Sequence, residues 1–118
     1  MSANFWCWLP ILALSPTAPD FLSRVEALHN PPIERPAPQI ANFVEQLAKA
    51  YPEPSEKVVD TAWSDGPLIG DANGQFIDFG IRWDYYKKVL PLVISLGSAS
   101  GLDCYDPQTS RYYPLEVE

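Results

Sequence analysis

The sequence predicts a mixed α+β domain, and three observations carry that expectation. Short segments near residues 5 and 80 alternate in side-chain character as strands do. Two other segments place apolar residues at helical spacing, and proline- and glycine-rich stretches separate the pieces. The length of 118 residues predicts one domain over residues 1–118. A hydrophobic fraction of 47% with four Trp supplies a core that needs no metal or disulfide staple.

The first strand is expected at about residues 3–9. Its run Phe5-Trp6-Cys7-Trp8-Leu9 has no Lys or Arg before Arg24, so it lacks the basic start of a signal peptide; it is also too short to span a bilayer. An internal strand in a cytoplasmic protein is the expectation. Asp20 is placed to cap a helix from Phe21 to His29, where Phe21, Leu22, Val25 and Leu28 share one face. The proline-rich stretch from Asn30 to Pro38 lacks several backbone donors and predicts an extended connector rather than a proline-motif ligand.

A second helix is expected from about Gln39 to Tyr51, with Ile40, Phe43, Val44, Leu47 and Ala48 as its stripe and Pro52 and Pro54 as its stop. Residues 52–66 predict a polar loop carrying Trp63. Asp71-Ala72-Asn73-Gly74 predicts a type I′ hairpin turn between strands at about 67–72 and 75–83. In the second of these, Ile77, Phe79, Ile81 and Trp83 alternate with polar or small residues and are expected to face the core. Asp84 is expected to cap a third helix to about Ser100, with Pro91 predicting a kink or broken first turn and Gly101 a left-handed stop. A last strand at 102–106, a turn at 106–109 and a short extended tail at 111–115 complete the chain.

This order matches βαββαβ, a ferredoxin-like two-layer sandwich with an extra helix in the first crossover. Strand order 4-1-3-2 would set Cys7 beside Cys104. Helices would cover one face of the sheet and leave the other open.

Charge and chemistry narrow the function. The net charge is 8 − 15 = −7; residues 60–118 hold nine acids and four bases, thus −5 of it. That sign opposes phosphate backbones and anionic lipid, so neither nucleic acid nor membrane is an expected partner. Ordinary solubility accounts for it first, and attraction to a basic protein surface is the sign-consistent alternative. His29 is the one imidazole, at a helix end where a cation is favoured, and is expected to cap rather than catalyse. Two distant Cys with one His make no zinc set, and no phosphate-binding or nucleophile motif is present. Asp60, Asp65, Asp71, Asp78 and Asp84 crowd one region but lack the spacing of a calcium loop. No cofactor and no catalytic residue is expected.

In the first strand Phe5, Cys7 and Leu9 point one way, Trp6 and Trp8 the other. With Phe76 and Tyr105, the Trp pair forms either an exposed partner surface on the open sheet face or the underside of a segment, residues 9–15 or the tail, that folds over it. Candidate partner-binding residues are therefore Trp6, Trp8, Asp60, Trp63, Asp65, Asp71, Phe76, Asp78 and Tyr105.

Three segments carry a resemblance: Trp63-Ser64-Asp65-Gly66-Pro67, Ile81-Arg82-Trp83, and Gly101-Leu102-Asp103-Cys104-Tyr105-Asp106-Pro107-Gln108. With the aromatic-rich opening Met1-Ser2-Ala3-Asn4-Phe5-Trp6, they resemble a group of small bacterial proteins counted among the immunity proteins of polymorphic toxin systems. The sequence departs from that group at Gly97-Ser98-Ala99-Ser100, where relatives carry Ala with charged residues. The resemblance implies a cytosolic inhibitor that binds a cognate, basic toxin domain. The alternative expectation is a homo-oligomeric regulatory or housekeeping domain whose sheet face is a homodimer interface.

Overall fold

The structure, a computed structural model, describes residues 2–29, 34–54, 60–64 and 66–114. It is a mixed α+β fold with three α-helices and a five-stranded antiparallel sheet. The strands are β1 (Ser2–Trp8), β2 (Ala72–Asn73), β3 (Phe76–Arg82), β4 (Asp103–Asp106) and β5 (Arg111–Tyr113), ordered β2-β3-β1-β4-β5. The helices are α1 (Phe21–His29), α2 (Pro38–Ala50) and α3 (Trp83–Ala99). No helix among the described residues is long and apolar enough to cross a membrane.

β1 is the centre of the sheet, paired over its length with β3 and, at Trp6–Trp8, with β4. Cys7 stands opposite Cys104 across β1 and β4, as the expected strand order requires. The main core fills one face. Ala3, Phe5 and Cys7 of β1 and Ile77, Phe79 and Ile81 of β3 pack against Ile40, Phe43, Val44 and Leu47 of α2 and Val89 and Val93 of α3.

The expectation of an open second face is corrected. Trp8, Phe76 and Tyr105 are buried there with Leu14, Phe21 and Val25, and Trp6, Leu12 and Leu28 pack against them. The cover consists of α1 and the segment before it, which bends through a 3₁₀ turn at Pro10–Leu12. The physical reason lies in β1 itself: large apolar side chains point to both faces, and both must leave water. The layers number three rather than two.

Other local expectations also shift. The strand expected at 67–72 is a 3₁₀ turn, Leu68–Asp71, followed by the two-residue β2; Pro67 and Gly70 disfavour extended pairing there. The hairpin pairs Asn73 with Phe76, so its two-residue loop is Gly74-Gln75, one position later than expected. Gly74 has φ 59 while Gln75 keeps a negative φ, the signature of a II′ loop instead of I′. α3 starts at Trp83 with Arg82 in the cap position, so Asp84 lies inside the first turn, where its charge suits the helix dipole. The helix runs unbroken through Pro91, which is exposed; the missing N–H bond falls on the solvent side.

The stop of α3 follows expectation. Gly101 has φ 83; its N–H donates to the Ser98 carbonyl at 3.1 Å and the Leu102 N–H to the Gly97 carbonyl at 2.9 Å, a Schellman close. The tail strand β5 pairs with β4 and extends the sheet beyond the expected four strands.

Candidate interaction site

The expected partner-binding residues do not form one surface. Trp8, Phe76 and Tyr105 are sealed beneath α1, and Trp6 is half-buried, stacked on Tyr105 at 5.5 Å between ring centres and tilted against Phe21 at 6.1 Å. These rings therefore form no open sheet face. Trp63 is also corrected: it is fully buried, bridges to Ile81 of β3, and donates its indole N–H to the Tyr51 carbonyl at 2.8 Å. The loop around it hydrogen-bonds to β3 through Arg82 N–H to Ala62 O, 2.8 Å, which draws the Trp inward. Asp78 is occupied by His29 at 2.6 Å and is mostly buried. Asp71 is half-buried at the end of the 3₁₀ turn. Asp65 lies outside the described residues.

Asp60 is the expected residue that remains outward, and it leads to neighbours that sequence reasoning missed. Arg82 sits between two carboxylates, 3.5 Å from Asp60 and 2.9 Å from Asp84. Tyr85 donates its hydroxyl to Asp60 at 2.9 Å, and the Arg82 guanidinium lies 5.7 Å above the Tyr85 ring. The hydrogen bond to Asp60 pushes the Tyr85 hydroxyl above its ordinary value, with smaller contributions from burial and from the charges of Asp60 and Asp84. Trp83, next to Arg82 and Asp84 in the chain, is 45% exposed, with its ring 5.4 Å from Tyr86. Alternation along β3 had assigned Trp83 to the core. The strand ends at Arg82, and helical geometry then turns the next side chain outward.

The start of α3 thus carries an exposed indole at Trp83 and, on its chain neighbours Arg82, Asp84 and Tyr85, a charged network that reaches Asp60. An aromatic anchor with a charged rim is the composition that concentrates binding energy in protein interfaces. No group of three or more His, Cys, Asp or Glu among the described residues could hold a metal ion.

The segment that carries the resemblance has a structural use. Asp106 is fully buried; one carboxylate oxygen accepts from the Tyr86 hydroxyl, and the other accepts from the Gln108 N–H at 2.9 Å and side-chain amide at 2.6 Å. Burial, then Asp106, pushes the Tyr86 hydroxyl well above its ordinary value. The next rung of the β1–β4 register would set Asn4 opposite Pro107, which has no N–H to give. The Gln108 carboxamide takes that place: it accepts from Asn4 N–H at 3.1 Å and donates to Asn4 O at 2.6 Å.

Cys7 and Cys104 are buried thiols with sulfurs 3.0 Å apart, and burial followed by the neighbouring thiol pushes Cys7 up. Gly97 allows this packing, since a Cβ there would meet Cys104 Sγ at 2.5 Å. The stretch at residues 97–100 thus begins at a position where only glycine fits.

No family model, no curated protein and no solved structure matches this chain.

Proposed function

We propose that the chain is a non-catalytic protein-binding module, an immunity-type inhibitor in the cytoplasm that covers a basic surface of a cognate toxin domain with the patch around Trp83. The observation that carries this reading is the half-exposed Trp83 at the start of α3, flanked in the chain by Arg82 and Asp84, which pair with each other while Arg82 also pairs with Asp60. Trp, Tyr and Arg are the residues most enriched where truncation costs binding energy. The net charge of −7 complements a basic partner and speeds encounter at low salt. Of the late acids, Asp103 and Asp106 are buried and Asp78 is bound to His29, so Asp60 and Asp84 supply the outward charge of this patch.

The frame we propose is ferredoxin-like, with β5 added at one edge and α1 displaced to the second face. The order β2-β3-β1-β4 with antiparallel neighbours supports it. The resemblance at Gly101–Gln108 supports the immunity reading, though the segment itself closes the fold rather than meeting a partner.

Co-expression with the products of adjacent genes tests the function. One of them is expected to be toxic alone and tolerated with this chain, and Trp83→Ala is expected to abolish protection while circular dichroism stays unchanged. If no neighbouring product is toxic in its absence, the immunity reading fails.

A further inference from the structure

α1 closes on the sheet through an imidazole held between two acceptors. His29 Nε2 lies 2.6 Å from Asp78 Oδ2 on β3, and Nδ1 lies 2.9 Å from the Val25 carbonyl one turn back in α1. A neutral imidazole carries one N–H and can donate to only one of these groups when Asp78 is ionised; the imidazolium donates to both. We propose that His29 is a proton-operated latch: protonated, it pins α1 over the aromatic floor of Trp6, Trp8, Phe76 and Tyr105, and loss of the proton frees that cover.

The rest of the cover is lightly held, which is why one latch can govern it. α1 buries only Phe21 and Val25 among its nine residues. A second polar tether among the described residues is Arg24, which donates to the carbonyls of Leu12 at 2.6 Å and Ala13 at 3.1 Å. Ala13 bends the strap at φ 52, a left-handed conformation that non-glycine residues adopt at a cost. Beneath the cover, the indole N–H groups of Trp6 and Trp8 are buried without an acceptor among the described residues. Orphaned donors raise the free energy of the closed state.

The charges acting on His29 come from both sides of the contact. β3 contributes Asp78, and α1 contributes Glu26. The nearest rings are Trp6 of β1 at 6.3 Å and Phe76 of β3 at 5.4 Å, both edge-on and neither ionisable in this range. Burial is the largest single influence and pulls the His29 value down; the bonds to Asp78 and Val25, with the charges of Asp78 and Glu26, outweigh it and leave the value raised. A raised folded value means that the docking contribution is complete below the ordinary histidine value of about 6.5 and disappears as pH climbs through the folded one. This device does not depend on the proposed partner or on the Trp83 patch.

Amide-exchange protection factors, corrected for the intrinsic pH dependence of exchange, test it in the full chain between about pH 5.5 and pH 9. Protection across residues 21–29 is expected to fall about ten-fold as His29 deprotonates, while residues of α2 and β3 hold theirs. In parallel, the His29 ring signal is expected to titrate at higher pH in the native chain than in Asp78→Asn. That variant is expected to show low α1 protection at every pH. Constant α1 protection across the range would overturn the latch, as would an unchanged pH dependence in Asp78→Asn. Should Asp78→Asn fail to fold, the native titration with His29→Gln decides alone: a pH step that survives in His29→Gln also overturns it.

Discussion

On one face of the sheet, α2 and α3 lay continuous apolar stripes on Phe5, Cys7, Phe79 and Ile81, and the buried Trp63 and Tyr86 both find hydrogen-bond partners. On the other, a nine-residue helix and a bent strap cover equally large rings, but two indole N–H groups go without acceptors among the described residues and ionisable side chains do much of the fastening. The first face is closed by area and satisfied polar groups. The second is closed by apolar area with the His29 and Arg24 tethers, against a polar cost. Burial of the same amino-acid types therefore implies two different local stabilities, and the α1 side is where sub-global opening belongs.

Truncation should expose that difference most strongly. Phe43→Ala, in the main core, is expected to lower global stability by ~3–5 kcal/mol in urea unfolding. Phe21→Ala is expected to cost clearly less, because α1 can detach before the rest of the chain unfolds; equal losses would break the comparison. Gly97→Ala sharpens it on the well-packed side. Its methyl group has no room beside Cys104 Sγ, and a loss of about 1–3 kcal/mol is expected, relieved when Cys104→Ala is combined with it in a double-mutant cycle.

Gln108→Ala should cost about 1–2 kcal/mol, since it removes the amide pairing with Asn4 and a donor to Asp106. Exchange at the start of β1 should report the loss before α1 does. The smallest effect on stability is expected at Trp83→Ala, within about 0.5 kcal/mol of the native chain. The same change should weaken a complex through this patch by ≥ ~2 kcal/mol, which separates binding from folding.

Much of this architecture is legible in the sequence. The spacing of Phe21, Val25 and Leu28 locates α1, and the strand order that puts Cys7 beside Cys104 follows from the sequence of elements. The alternation of Phe5 and Cys7 with Trp6 and Trp8 already says that both sides of β1 want cover. It does not say what supplies it, because an amphipathic helix carries no label for the face it will meet. Leu68-Ile69 reads as strand in the sequence, and its neighbours Pro67 and Gly70 instead favour the 3₁₀ turn. The candidate site was the least legible part. Charge counting along the chain could not distinguish Asp103 and Asp106, drawn inside, from Asp60 and Asp84, left on the surface. Nor could alternation anticipate that one residue past the end of β3 Trp83 would face water.

The carboxamide of Gln108 stands in for a peptide group, and this gives the sheet a chemical vulnerability that an ordinary ladder lacks. A backbone amide in a strand cannot shed its nitrogen without breaking the chain, whereas a side-chain amide can hydrolyse and leave the chain whole. Conversion to glutamate would delete the donor facing Asn4 and set a carboxylate against Asp106. Ageing of a single side chain would thereby loosen the join between the first and last parts of the sequence.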